Sequence, residues 1–398
     1  MTTASATKLE HLELPNQEGW CLHLYQSREE IQTVVPQSWS ASKWIQREWL
    51  AYLAAGRPST PTFWAELQHI SGHRLGFTVQ IMSFQAGRQI RQEDPAGFSW
   101  RRWLVRPLRF RVLTLGQLLT SGPYGWTGPH HQQVEEWQEL VLEAGELLTK
   151  YYGCSGTLLK DLVTADHPAA HYWADQGYYA LPVDPVMVLP LRTAWSSLED
   201  YLLDLNSKYR VRYRRARKQL GAISKRRMKP AEVQKRSQEL YQLFEAVRSG
   251  AAFDPVDPAA DYFVALQRQW GTACEIIGYF DGDRLLGFTT ALQDGEVQHA
   301  HYLGFEPTVN EAHHLYHNML FDLIEGAIRR RASELNFART ALEIKSSVGA
   351  EARQYAVLLK GRSRFSNWLV RRFTPRLFKA SKWLARHPFR HTEAAQLT

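Results

Sequence analysis

The sequence lacks the features that mark secreted, metal-binding and membrane-spanning proteins. Its three cysteines, Cys21, Cys154 and Cys274, are odd in number and far apart, so they predict neither a disulfide framework nor a zinc site. The N-terminus has no apolar signal segment, and no window reaches the run of about 18 apolar residues that a membrane-spanning helix needs. We therefore expect a cytoplasmic protein in a reducing compartment, without an integral membrane segment.

Several catalytic and nucleotide-binding motifs are also missing. The chain has no glycine pattern of the kind that binds ATP or dinucleotides, and no Ser-His-Asp or Cys-His spacing that indicates a nucleophile. His313 and His317 lie one helical turn apart, but no acidic residue stands where zinc proteases have one, and no cysteine is near. The sequence therefore predicts no bound metal.

The length and composition of the chain predict a globular protein of two domains. A chain of 398 residues exceeds a single core of ordinary size, and 44% hydrophobic residues with 31 tryptophans and tyrosines are enough to fill two interiors. Alternating helical and strand patterns predict an α/β fold, with mixed β-sheets flanked by helices. We place the domains at residues 1–190 and 191–362, followed by a basic, amphipathic helical tail at residues 363–398.

Local patterns predict individual elements within this fold. The clearest is a β-hairpin at residues 274–292 with Asp281 and Gly282 in its turn, and a second hairpin is predicted at residues 63–84. Helices are predicted at residues 40–56 and 134–153. We interpret the loop from Gly122 to Gly128 as a series of tight turns, with a backbone cradle for a ligand as the alternative.

Basic residues are concentrated in two segments of a chain whose net charge is +8. Residues 205–231 contain eleven lysines and arginines and no acid, and Lys208, Arg212 and Arg215 lie there on one stripe at helical spacing. Such a stripe is either a solvated face or a contact for the phosphates of CoA, an acidic lipid or a tRNA. The sequence leaves both interpretations open.

The second basic segment, residues 352–392, also contains eleven lysines and arginines and no acid. Apolar and aromatic residues recur in it at near-helical spacing around a kink at Pro375: Phe365, Leu369, Phe373, Leu377 and Leu384, with Trp368 and Trp383. An apolar stripe opposite a cationic face is typical of a helix in a membrane interface. We predict peripheral contact with the inner face of the cytoplasmic membrane, with docking on the protein's own surface as the alternative.

Residues 296–350 predict a strand, a turn, a long helix and a second strand. The second strand, residues 337–345, would place Arg339, Glu343 and Lys345 on one face, because side chains alternate along a strand. Burying several charged side chains on one strand costs desolvation free energy, unless the charges pair with each other or bind a ligand. The three residues are therefore either a salt-bridged ladder or part of a functional site.

This region also resembles a known family. The segment FARTALEIKSSVGA at residues 337–350, together with LNSKYRVRYRRARKQL at residues 205–220, resembles the signature pair of the BioF-type and FemAB-like (peptidoglycan-biosynthesis-like) acyltransferases of the GNAT superfamily. The resemblance extends from about residue 30 to about residue 365. It implies tandem GNAT-like domains, the first degenerate and the second carrying the active site.

The resemblance also implies a chemistry. Making an amide from a thioester and an amine requires a base, donors for the oxyanion and an acid for the thiolate. Glu343 is the predicted base or amine-orienting group, and Tyr302 and Tyr316 are the predicted acids, each with a packed aromatic role as the alternative. Contacts to the donor or substrate are predicted from Arg339, Lys345, Lys208, Arg212, Arg215, His301 and Asn310.

The helix that begins near residues 308–315 predicts an anion site at its N-terminus, where Thr308 and Glu311 have the spacing of a capping box. Most GNAT enzymes have a glycine-bearing phosphate loop here, but the segment from Asn310 to Leu315 contains no glycine. We expect acyl-CoA or acyl carrier protein as the co-substrate and no tightly bound cofactor. Aminoacyl-tRNA is the alternative donor.

These patterns predict an N-acyltransferase that moves an acyl group from a thioester to a primary amine, with an amine lipid at the membrane as the favoured acceptor. One alternative is a FemAB-like, aminoacyl-tRNA-dependent transferase that acts on a cell-wall precursor. The other is a non-catalytic protein on the same fold that binds membranes or RNA, because a fold alone does not imply an activity.

Overall fold

The computed structural model describes residues 10–34, 42–56, 60–85, 109–127, 134–250, 258–377 and 380–390. The chain forms two compact units. The first comprises Met1–Val183, Ala252–Asp257 and Tyr355–Ala380, and the second comprises Asp184–Ala251, Pro258–Gln354 and Ser381–Thr398. Each unit has its own mixed sheet with flanking helices, which confirms the predicted α/β class.

Eight strands form the sheet of the first unit: β1 Glu10–Glu13, β2 Trp20–Tyr25, β3 Thr62–His69, β4 Arg74–Gln85, β5 Arg109–Leu115, β6 Gly156–Thr164, β7 Tyr179–Ala180 and β15 Tyr355–Gly361. Their order in the sheet is β1-β2-β3-β4-β5-β6-β15-β7. Neighbours pair antiparallel except β5 and β6, which pair parallel. The hairpin predicted at residues 63–84 is confirmed as β3 and β4.

The helices of the first unit are α1 Arg28–Val34, α2 Arg47–Gly56, α3 Val134–Tyr151, α4 Pro168–Asp175 and α13 Arg364–Leu377. α3 follows its predicted apolar periodicity, and its residues Leu140, Ala144 and Leu148 are buried in the core of the sheet. The helix predicted from residue 40 begins later than expected. Ser42 caps a short 3-10 turn at Lys43–Ile45, and α2 starts only at Arg47.

The glycine-rich loop after β5 binds its own unit through its backbone. Gly122 N donates to the Asp161 carboxylate at 2.9 Å, and Thr127 N donates to Gly76 O at 2.7 Å. Gly125 O accepts from Thr78 N at 2.8 Å. These bonds support the interpretation of the loop as tight turns; Gly128 lies outside the described residues.

Seven strands form the sheet of the second unit: β8 Val186–Pro190, β9 Ser224–Arg227, β10 Cys274–Asp281, β11 Arg284–Asp294, β12 Val297–Phe305, β13 Glu334–Asn336 and β14 Glu351–Arg353. Their order is β14-β8-β13-β12-β11-β10-β9, and only β12 and β13 pair parallel. The hairpin predicted around Asp281 and Gly282 is confirmed as β10 and β11.

The helices of the second unit are α5 Leu198–Asp204, α6 Ser207–Leu220, α7 Pro230–Lys235, α8 Ser237–Arg248, α9 Tyr262–Trp270, α10 Pro307–His313, α11 Leu315–Arg329 and α12 Leu342–Ser347. α11 lies at the centre of this unit's core, where Met319, Ile324 and Ala327 are fully buried. Its long apolar pattern was visible in the sequence.

Two strands belong to a different sheet from the one that the predicted domain limits imply. β8, placed before residue 190, pairs with β13 and β14 of the second sheet. β15, placed before residue 362, pairs with β6 and β7 of the first sheet. Residues 190 and 362 therefore do not separate the two sheets, because the sheet to which a strand belongs depends on partners far along the chain.

The basic tail is not one continuous helix. α13 ends at Leu377, and Ser381 then binds the Asp184 carboxylate through its N–H and its hydroxyl, at 2.7 and 2.8 Å. Trp383 and Phe389 pack against the core of the second unit, so this part of the tail docks on the protein itself. The side chains of Phe373 and Leu377 lie outside the described ones.

Among the described residues, no helix combines the length and the apolar character that crossing a bilayer requires.

A buried carboxylate joins several elements of the second unit. Asp322 on α11 is 2% exposed and accepts hydrogen bonds from Arg217 Nη2 at 2.5 Å, Lys225 Nζ at 2.7 Å and Tyr279 Oη at 2.6 Å. These partners lie on α6, β9 and β10. A buried charge is tolerated only when it is paired and hydrogen-bonded, so this cluster fixes α6 against α11.

We expect Asp322→Ala to lower the free energy of unfolding by about 3–5 kcal/mol, because it leaves the part-buried Arg217 without its carboxylate partner and removes one of the two carboxylates that bind Lys225. The measurement is urea unfolding of the full chain. Glu325→Gln is the matched control, since it removes only the exposed partner of Lys225 and should cost less than about 1 kcal/mol. Equal effects of the two substitutions would contradict a buried network.

Candidate functional site

The sheet of the second unit opens between its two parallel strands. β12 and β13 pair only from Val297↔Glu334 to His299↔Asn336. Beyond that point β12 continues to Phe305, whereas β13 ends at Asn336. The next residues follow β8, because Phe337 N donates to Met187 O and Met187 N donates to Ala338 O. Within the described residues, the outer half of β12 therefore has no partner strand on this side.

A bulge in β12 marks the same position. The register with β11 shifts between Thr289 and Ala291, so His301 and Tyr302 stand opposite the single residue Thr290. The Thr290 hydroxyl donates to Tyr302 O at 2.6 Å and holds the bulge in place. Bulges redirect side chains, and the rings of both residues here lie beside Tyr262.

The strand predicted at residues 337–345 is wrong. β13 ends at Asn336, and Ala338, Thr340 and Ala341 adopt left-handed backbone conformations with φ of 57°, 72° and 47°. The Asn336 side chain accepts from Ala338 N at 2.8 Å, which offers the backbone a turn in place of the strand ladder. Residues 342–347 then form α12.

Because there is no strand, Arg339, Glu343 and Lys345 do not share a face and do not form the salt-bridged ladder. Arg339 Nε donates to Asp184 O at 2.8 Å. Glu343 is exposed on α12, and its carboxylate pairs with the Arg386 guanidinium. The argument that these three residues share one face of a strand therefore does not indicate which of them contacts a substrate.

Lys345 holds the turn that leaves the sheet. Its side chain is 4% exposed, and Nζ donates to Phe337 O at 2.7 Å and Arg339 O at 2.6 Å. Burial lowers the pKa of Lys345 to about 7, although the Asp184 charge acts in the opposite direction. A neutral amine still has two N–H donors, which match the two carbonyls.

A histidine and a tyrosine that are distant in sequence meet beside the opening. His301 Nε2 shares a hydrogen bond of 2.7 Å with the hydroxyl of Tyr262, which is buried at the start of α9. The ring of Tyr302 lies 4.2 Å from that of His301. Burial, with a smaller effect of His299, lowers the pKa of His301 to about 3, so the imidazole is neutral at physiological pH. No pattern in the sequence indicated Tyr262.

The N-terminus of α11 faces the same end of the sheet. α10 ends at His313, His314 is left-handed with φ 48°, and the Asn310 side chain accepts from Tyr316 N at 2.8 Å. The predicted capping box is wrong, because α10 starts at Pro307 and no side chain caps it. Asn310 instead caps α11, and burial raises the pKa of Tyr316, whose hydroxyl stays protonated.

The predicted basic stripe lies on the exposed face of α6. Lys208, Arg212 and Arg215 are exposed, whereas Arg217 turns inward to Asp322. Burial, followed by the charges of His314 and Arg212, lowers the pKa of His317, which places Arg212 near the N-terminus of α11. A cation beside free helix N–H groups favours an anion there.

Histidines at this end do not form a metal site. His313 Nδ1 is bonded to Gln219 O at 2.9 Å, and the rings of His314 and His317 are 6.0 Å apart. In the part of the chain that the structure describes, no group of three potential ligands could hold a metal ion.

We expect the free energy of unfolding to depend on pH because the amine of Lys345 is buried. Its pKa of about 7 in the fold lies below the ordinary value of 10.5, so between these values the folded state binds fewer protons than the unfolded state. This difference makes the free energy of unfolding increase with pH. Lys345→Met should lose that increase.

Urea unfolding of both proteins at pH 7 and pH 9 measures this effect, and the advantage of the wild type should be larger at pH 9. Lys235→Met, at an exposed lysine of α7, should follow the wild type. A difference between wild type and Lys345→Met that does not change with pH would contradict a neutral buried amine.

Part of the second unit is similar to a known family. Residues 207–346, which contain α6, the opening and α11, match the family described as "Acetyltransferase (GNAT) domain". No curated protein matches the sequence.

Among solved structures, the chain is similar to FemX, with 10% identity, 78% of this chain and 90% of that chain covered and a TM-score of 0.48. It is also similar to the C-terminal domain of a putative lysylphosphatidylglycerol synthetase from Agrobacterium fabrum (11%, 90% and 100%, TM-score 0.45). A third similar structure is a tandem GNAT protein from the clavulanic acid biosynthesis pathway (11%, 86% and 99%, TM-score 0.44).

The family match covers the segment in which the strands part and the helix N-terminus faces the opening. Residues 207–346 are therefore similar to the acetyltransferase domains of the GNAT family.

Proposed function

We propose that the second unit transfers an acyl group from a thioester to a primary amine at the opening between β12 and β13. The observation that carries this proposal is the short parallel pairing, which ends at His299↔Asn336 although β12 continues to Phe305. An extended pantetheine arm can lie between two strands that part, in the place that a further strand would take. The thioester would then lie beside the bulge.

The reaction needs one proton acceptor and one proton donor. The amine nitrogen attacks the thioester carbonyl, a C–N bond forms and the C–S bond breaks, the nitrogen loses a proton and the thiolate takes one up. His301 lies at the bulge of β12 and is oriented by the Tyr262 hydroxyl, so we assign it the base role. Tyr302 and Tyr316 are the proposed acids, and burial keeps the hydroxyl of Tyr316 protonated by raising its pKa.

The sequence indicated Glu343 as the base or amine-orienting group, but in this proposal the base is His301. The Glu343 carboxylate pairs with Arg386 on the exposed side of α12. Arg339 and Lys345 bind backbone carbonyls around the turn, and we propose that they shape the opening. Arg212 and the N-terminus of α11, with Asn310 as its cap, are the proposed contacts for the donor phosphate.

The favoured acceptor is an amine lipid at a membrane surface, and α13 supports this part of the proposal. Phe365 and Trp368 are 69% and 56% exposed, and their rings stack 6.1 Å apart. Arg364 and Arg371 are exposed on the same helix. Exposed aromatic side chains beside cations suit the interface of an anionic bilayer, and the protein would associate with it peripherally.

For the chemistry, we expect His301→Gln to lower kcat by about 100-fold or more, because the base is lost. Tyr262→Phe should lower kcat by about tenfold, since it removes one hydrogen bond that orients the imidazole. The assay is thiol release from hexadecanoyl-CoA with sphingosine as the amine.

Glu343→Gln is the comparison variant in the same assay, and its kcat should stay within about twofold of wild type. If Glu343→Gln loses activity and His301→Gln does not, the base is Glu343 and our assignment is wrong. Calorimetric binding of hexadecanoyl-CoA shows whether each variant still holds the donor.

For the membrane, we expect the double variant Phe365→Ser with Trp368→Ser to lower association with phosphatidylglycerol vesicles by about tenfold or more. Sedimentation of the full chain with vesicles measures this. Ile70→Ser is the matched control, because Ile70 is 87% exposed at a hairpin turn that carries no cluster of arginines. Equal binding of all three proteins would contradict a membrane role for α13.

A further inference from the structure

One face of α6 carries cations that bind no carboxylate. Five basic side chains are exposed there, and none makes an ion pair with any residue that the structure describes: Lys208, Arg212, Arg214, Arg215 and Lys218. The same helix sends Arg217 inward to Asp322. Arg210 of this helix binds the backbone carbonyls of Leu203 and Leu205. The other five cations lie on a stretch about 15 Å long.

An apolar side chain stands at the centre of these cations. Val211 is 55% exposed, and Lys208 lies three residues before it, with Arg214 and Arg215 three and four residues after it. Residues at these spacings are neighbours on a helix surface. Leu203, 66% exposed, lies at the end of α5, and its carbonyl accepts from Arg210 on α6.

An apolar centre with a charged rim is the arrangement of a protein interface. Single-stranded nucleic acid is usually bound by cations together with exposed aromatic rings on which bases stack. The aromatic rings of α6 do not serve this purpose, because Tyr209 is buried and Tyr213 packs on Phe321. The face therefore fits an acidic protein surface better than an RNA.

The position of this face connects it with the donor site. α6 packs against α10 and α11, and the charge of Arg212 acts on His317 near the N-terminus of α11. The segment from Phe305 to Tyr316 contains no glycine, and Asn310 already occupies Tyr316 N. This leaves few backbone donors for the pyrophosphate and 3′-phosphate of free CoA, whereas a carrier-bound pantetheine arm brings a single phosphodiester.

We propose that the exposed face of α6 docks the acidic surface of an acyl carrier protein, which delivers the acyl group as a carrier-bound thioester. Lys208, Arg214, Arg215 and Lys218 pair with its carboxylates, Val211 contacts its apolar side chains, and Arg212 contacts the phosphodiester. This inference rests on the proposed acyltransferase function and names the class of its donor.

The test measures binding of the full chain to a purified, fluorescently labelled acyl carrier protein that carries a hexadecanoyl thioester. We expect binding to weaken as salt rises, and Arg215→Glu and Val211→Asp to raise Kd by about tenfold or more. Lys235→Glu on α7 is the matched control, because it reverses an exposed charge away from α6 and should change Kd by less than about twofold.

Transfer to sphingosine is then compared for the carrier thioester and for hexadecanoyl-CoA. Arg215→Glu should lower kcat/KM for the carrier thioester by about tenfold, and its effect on the CoA thioester should be several-fold smaller. Equal losses with both donors would overturn the docking role. Transfer from the CoA thioester without any binding of the carrier would also overturn it, and would leave the acyltransferase function standing.

Two further outcomes separate the inference from its premise. If the carrier binds in an Arg215-dependent manner but no acyl transfer occurs, the docking surface stands and the proposed reaction fails. If Arg215→Glu weakens binding to total tRNA or to phosphatidylglycerol vesicles and leaves carrier binding unchanged, the face serves that other anion and the inference is wrong.

Discussion

A parallel pairing of only three residue pairs decides the form of the candidate site. β12 and β13 are joined from Val297 to His299 and from Glu334 to Asn336. Different contacts then direct the two chains apart. The Thr290 hydroxyl holds the bulge of β12, and Lys345 Nζ together with the Asn336 side chain holds the turn after β13. The two strands therefore part next to His301.

The second unit buries two ionisable side chains, and their surroundings differ. Asp322 is buried with three hydrogen-bond donors around it, and so it can remain a charged partner of Arg217 and Lys225. Lys345 is buried among carbonyl groups, and the lowering of its pKa to about 7 is the alternative response to the same desolvation cost. The first solution orients α6, and the second shapes the opening.

The first unit contains a comparable parallel pair that its own chain covers. β5 and β6 pair from Val112↔Gly156 to Leu115↔Leu159, and the loop after β5 then binds the end of β6. Lys160 Nζ donates to Thr120 O at 2.7 Å, and Gly122 N donates to the Asp161 carboxylate. The edge that is open in the second unit is thus occupied by the loop in the first. This supports the expectation that the catalytic groups belong to the second unit.

The sequence by itself determined the features that depend on neighbours along the chain. The turn at Asp281 and Gly282, the apolar faces of α3 and α11 and the basic face of α6 all follow from local spacing, because side-chain direction repeats with the period of the element. The tertiary structure decided the features that depend on distant partners. β13 stops where the Asn336 side chain binds Ala338 N and turns the chain, and Tyr262 meets His301 across 39 residues. It also decided which arginines of α6 turn inward, since only Arg217 reaches the buried Asp322 on another helix. Local patterns cannot specify these features, because each depends on contacts formed only when separate elements pack together.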